Sequence, residues 1–192
     1  MTLIERRTRE TRIKVEVNDG AGETSVRTGD TFLDHMMFTL ARYAGVSMTL
    51  EASGDMKHHL IEDVAIAVGE AFAESTPAEC ARYGERVIPM DDALVQAVVD
   101  VGGRAYYEGE LPSGLYTHWM RSFADQARTT LHVRVLRGTD AHHVVEAAFK
   151  ALGLALRDAR AASDGVFSTK GRVDWGGRSA PPRSPSDLAE DL

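Results

Sequence analysis

The chain has 192 residues, 43% of them apolar, and a formal net charge of −7 with a single cysteine, Cys80. That length and apolar share support one large domain or two small ones with a genuine core, while an acidic chain without a basic block argues against nucleic-acid binding. No stretch reaches the length of a signal peptide or a membrane span, and a lone cysteine forms no intrachain disulfide, so a soluble protein of the reducing cytoplasm is expected.

Ile13, Val15 and Val17 alternate with polar residues, which predicts a half-buried strand closed by an Asn18-Asp19-Gly20 turn. Residues 31–44 place Phe32, Met36, Leu40 and Tyr43 at helical spacing, and Met48 and Leu50 then mark a strand. A second helix runs from about His58 to Glu74, with Ile61, Val64, Ala65, Val68 and Phe72 on one face. The same order follows again: strands at 94–101 and 104–108 around Gly102-Gly103, a helix at 116–128, a strand at 130–136 and a helix at 142–161. Each half therefore reads strand, strand, helix, strand, helix, over residues 1–87 and 88–174. Residues 175–192, with Gly176, Pro181, Pro182 and Pro185, read as a flexible tail.

The histidines sharpen this duplication. His58-His59 is followed by Glu62 and His142-His143 by Glu146, an H-H-x-x-E pattern repeated at 84 residues. His35 precedes the first pair by 23 residues and His118 precedes the second by 24. Apolar and glycine positions keep the same register, Gly69 with Gly153 and Ala71 with Ala155 among them, as an internal repeat requires. His132 has Thr49 as its repeat partner and reads as a surface or structural histidine.

A single histidine on a helix is ordinarily solvated or satisfied in the core. Six in a repeated pattern with two glutamates are better explained as metal ligands, since imidazole and carboxylate together suit divalent ions. Adjacent residues diverge by about 100° around a helix, so His58 and His59 cannot comfortably chelate one ion together. Either one of them is idle, or each pair serves two separate ions. Six imidazoles and two carboxylates suffice for two sites of three nitrogens and one oxygen.

The segments R-R-T-R-E-T (6–11), T-G-D-T-F-L-D-H-M (28–36), H-H-L-I-E-D-V (58–64), R-Y-G (82–84) and P-M-D-D-A-L (89–94) carry a resemblance to a known family. They continue in G-R (103–104), H-H-V-V-E-A-A-F-K-A (142–151) and S-T-K-G (168–171). Over residues 4–173 the chain resembles imidazoleglycerol-phosphate dehydratase. The resemblance implies an α+β fold of two similar halves, with four helices held between two four-stranded sheets. It implies trimers assembling into a 24-subunit shell, with active sites where subunits meet and two manganese ions per site.

By that resemblance, one ion takes His35, His59, Glu62 and His142, and the other takes His58, His118, His143 and Glu146. Glu10 is then the acid/base at the substrate, and Arg82, Arg104, Ser168, Thr169 and Lys170 hold its phosphate. Three departures from the family concern loops: the link Gly54-Asp55-Met56-Lys57 is short, the segment between Tyr107 and Thr117 is trimmed, and Val101-Gly102-Gly103-Arg104 stands where Ser-Gly-Arg is usual.

The reaction implied is loss of water from imidazoleglycerol phosphate, in histidine biosynthesis, to give imidazoleacetol phosphate. Ions on the ring nitrogens would stabilise an imidazolate able to expel hydroxide. A dinuclear hydrolase is the rival enzyme class, but this pattern leaves no carboxylate for the bridge such sites often use. A metal-storage or shell protein is the rival outside catalysis, and it would need no phosphate clamp.

Overall fold

Alternation decides the inner and outer faces of the sheets. Along the strand Thr11–Asp19, Ile13, Val15 and Val17 are buried while Arg12 and Lys14 are exposed. The computed structural model describes residues 1–20 and 22–165. In chain order the elements are β1 Thr2–Arg7, β2 Thr11–Asp19, β3 Ser25–Arg27, α1 Thr31–Ala44, β4 Val46–Gly54 and α2 Lys57–Ser75. The second half repeats them as β5 Tyr83–Met90, β6 Ala93–Asp100, β7 Tyr106–Glu108, α3 Gly114–Gln126, β8 Thr130–Arg137 and α4 Ala141–Ala159.

The two sheets have the same topology, β1-β2-β4-β3 and β5-β6-β8-β7. In each, the short third strand pairs parallel to its neighbour and the other pairings are antiparallel. The sequence pattern supplied fewer strands than these two four-stranded sheets need, because β1 and β5 are weak signals. β1 is an edge strand, half-buried on one face and charged on the other, and β5 carries Pro89. β5 straddles the expected boundary at residue 87 and pairs with β6 in the second sheet.

Helices α1 and α2 pack on the first sheet, α3 and α4 on the second, and the helices meet in the middle as α1 on α4 and α2 on α3. Each helix pair thus joins one half to the other. The repeated glycines Gly69 and Gly153 lie at these crossings. A Cβ on Gly69 would sit 2.8 Å from the Phe123 carbonyl oxygen, and one on Gly153 would sit 3.0 Å from the Leu40 carbonyl oxygen. A side chain at either position would push the helices apart. Trp119, Phe123, Phe149 and Phe72 fill the centre, with Trp119 and Phe149 ring centroids 4.6 Å apart. Cys80 is buried and free, and no helix among the described residues is long and apolar enough to cross a membrane.

Candidate metal centre and active site

Both histidine pairs open a helix, His58-His59 in α2 and His142-His143 in α4. Asp140 caps α4 by accepting the N–H groups of His142 and His143, whereas Met56 gives α2 no side-chain cap. The crossed helix packing then brings a histidine of the other half to each pair. His35 of α1 meets His142 and Glu146, while His118 of α3 meets His58 and Glu62.

In the first cluster Glu146 Oε2 lies 3.3 Å from His35 Nε2 and 3.2 Å from His142 Nε2. In the second, Glu62 lies 3.3 Å from His118 Nε2 and 3.5 Å from His58 Nε2. Bonds of about 2.1 Å to one ion, at 90° to 109°, set ligand atoms roughly 3.0–3.4 Å apart. The spacing therefore fits a shared cation. His118 Nε2 is enclosed and makes no hydrogen bond, as a nitrogen kept for a metal would be.

Within one chain the two glutamates stand opposite to the expected sets: Glu146 joins His35 and His142, and Glu62 joins His58 and His118. Residues four apart are about 40° apart around the axis and residues three apart about 60°, so each glutamate can share a face with either histidine of its pair, and the opposing helix brings its own histidine beside the first.

The second histidine of each pair turns elsewhere. His59 Nδ1 lies 2.8 Å from Asp55 Oδ1 and 3.6 Å from Glu10 Oε2. His143 Nδ1 lies 2.8 Å from Asp92 Oδ1, and its Nε2 is 3.4 Å from Asp91. The Asp55 bond raises the His59 pKa and the Asp92 bond raises that of His143. Asp92 itself is held far below the usual carboxylate range by the Thr139 N–H, then by His143 and the Asp140 N–H. Burial alone would raise the Glu146 pKa, but hydrogen bonds from Lys150 and His35 outweigh it and lower the value.

Glu10 sits in the turn between β1 and β2, which is fastened to α2. Buried Asp63 accepts from Arg6 at 2.8 Å and from the Thr11 hydroxyl, on either side of the turn. Arg82 adopts a left-handed backbone with φ 69° and is held bidentately by Asp100 at 2.6 and 3.1 Å. Arg104 is exposed, and its carbonyl accepts the Thr130 hydroxyl. Ser168, Thr169, Lys170 and the tail lie outside the described residues. His132 faces outward from β8, its ring centroid 5.6 Å from that of Tyr106.

The supporting residues Asp55, Asp63, Asp91, Asp92 and Lys150 had no assigned role from sequence. Only the spacing of Asp55 and Lys150, four residues from His59 and Glu146, offered a local signal.

Residues 28–156 match the imidazoleglycerol-phosphate dehydratase family model. The chain belongs to this family. It is 42% identical to the imidazoleglycerol-phosphate dehydratase of Anaeromyxobacter sp. (strain Fw109-5), over 88% of this chain and 91% of that one. It is 44% identical to that of Pyrobaculum aerophilum, over 86% of this chain and 96% of that one. Among solved structures, the dehydratase from Pyrococcus furiosus superposes with a TM-score of 0.81 at 40% identity, covering 88% of this chain and 100% of that chain. The Staphylococcus aureus dehydratase gives a TM-score of 0.75 at 32% identity, with 85% and 100% covered. The chain is accordingly a hydro-lyase of histidine biosynthesis, and the duplicated α+β architecture is that of the family.

Proposed function

We propose that the chain converts imidazoleglycerol phosphate to imidazoleacetol phosphate and water in the cytoplasm, using two manganese ions per active site. The carrying observation is the pair of three-donor clusters, each short of a fourth ligand, beside two histidines that turn away from both. His59 and His143 would complete the sites of neighbouring copies, giving each ion three imidazoles and one carboxylate. When bound, the ions supply Lewis acidity that stabilises negative charge on the substrate ring and so helps expel the hydroxyl.

The chain's own residues do the rest. Glu10, next to His59, takes the proton from the carbon beside the departing hydroxyl and delivers it to that hydroxyl, which leaves as water. The enol left behind becomes the ketone. Arg82, fixed by Asp100, acts with Arg104, Ser168, Thr169 and Lys170 to hold the phosphate and so set the reacting carbons against Glu10. The exposed side chains Val87, Tyr106, Val135 and Leu136 on the second sheet support contacts between copies in a trimer, the unit of the 24-subunit shell.

Turnover of imidazoleglycerol phosphate by protein of known manganese content tests the reaction. Failure to form the ketone with two ions bound per chain would overturn it. Light scattering tests the shared sites: chelation should break the particle into smaller units and manganese should rebuild it. A full-size particle stripped of metal would refute subunit bridging.

A further inference from the structure

We propose that Asp55 and Asp92 are positioning residues for the metal centre. Each accepts a hydrogen bond from Nδ1 of a histidine outside its own chain's clusters, and so presents Nε2 as the metal-binding nitrogen. The inference rests on the reading that His59 and His143 are ligands to ions shared with neighbouring copies.

The two contacts have the same length, 2.8 Å, and the same ring nitrogen. They were not inherited together. Asp55 lies in the short link before α2, four residues ahead of His59, while Asp92 comes from the β5–β6 turn, 51 residues ahead of His143. Asp55 corresponds to Thr139 at the offset of 84, while the sheet register, Thr11 on Gly54 and Leu94 on Arg137, sets Asp92 in the place of Glu10, whose Oε2 lies 3.6 Å from His59 Nδ1. The two halves therefore reach one arrangement by different routes. A surface ion pair of little energetic value would not be expected to arise twice at matching atoms.

The second half adds a scaffold of its own. Thr139, in the position where the first half has Asp55, donates its N–H and its hydroxyl to Asp92 Oδ2 at 2.7 and 3.0 Å. The Asp140 N–H adds a third bond at 3.2 Å. Asp92 Oδ2 is thereby anchored and Oδ1 is directed at His143. A carboxylate on Nδ1–H selects the tautomer whose lone pair is on Nε2, orients the ring and strengthens it as a ligand. Neither histidine needs to change protonation for this to operate.

The test is manganese binding to metal-free protein, followed by the signal of free Mn2+ in electron paramagnetic resonance, which reads affinity without catalysis. Asp55→Ala should weaken one of the two ions per chain by roughly tenfold to a hundredfold and leave the other unchanged. Asp55→Asn, which keeps an acceptor oxygen, should lose less. Asp92→Ala should weaken the other ion. Asp92 also holds the Thr139 turn, so the Asp55 variants keep the result independent of folding there. Native affinity for both ions in Asp55→Ala would overturn the proposal. His59→Ala and His143→Ala separate the two levels: each should lose one ion outright. If they do and Asp55→Ala loses nothing, positioning alone fails. If they keep both ions, the ligand reading fails and takes the positioning with it.

Discussion

The two three-ligand clusters hold the same donor types in similar spacing, yet they are built differently around their carboxylates. Glu146 is 9% exposed and is braced by Lys150, whose Nζ lies 2.9 Å from its Oε1. Glu62 is 35% exposed, and among the described residues no lysine or arginine is paired with it. At the repeat position of Lys150 stands Ile66. Both halves keep the same donor types, as a pair of cation sites would require, and differ in the residues that brace the carboxylate, because several arrangements can hold a carboxylate in place.

The largest expected effect tests whether the clusters are separate. His35→Ala should remove one ion per chain and His118→Ala the other, each with turnover reduced to near background. Metal analysis of the two variants and of their double mutant decides it. If either single variant loses both ions, the clusters form one coupled site and the comparison between them collapses.

The brace on Glu146 should have the next largest effect. Lys150→Met leaves a buried carboxylate without its cation and should destabilise the metal-free protein by about 1–3 kcal/mol near neutral pH, measured by urea unfolding. Because the Glu146 pKa is lowered in the folded protein, its contribution is present above the unfolded carboxylate pKa and lost as pH falls through the folded value. The gap between native protein and variant should therefore close on acidification. A gap that persists at low pH would show that Lys150 matters through packing instead.

The smallest effects concern the helix starts. Asp140→Ala removes the cap of α4 and should cost about 1 kcal/mol in thermal unfolding of metal-free protein. Met56→Asp would offer α2 the cap it lacks and should stabilise by no more than about the same amount. Equal melting of native protein and Met56→Asp would mean that the α2 start is already satisfied another way.

The duplication, the helix positions and the eight candidate ligands could be read from residue spacing, because periodic burial and repeated motifs are local properties. β1 and β5 were harder to see, since an edge strand needs only one buried face and β5 contains a proline. The grouping of ligands was not local. Spacing allowed Glu62 to serve either His58 or His59, and only the packing of α3 against α2, which delivers His118, places it in one cluster. Asp92 was still less accessible, since nothing in the sequence ties residue 92 to residue 143.

By itself the sequence determined that two similar halves would each present a histidine pair and a glutamate at the start of a helix, because the 3.6-residue turn sets what one helix can display. Tertiary structure alone decided which half supplies the third donor of each cluster and which carboxylate turns His143. Those contacts join residues tens of positions apart, and the cluster contacts need the close helix crossings at Gly69 and Gly153.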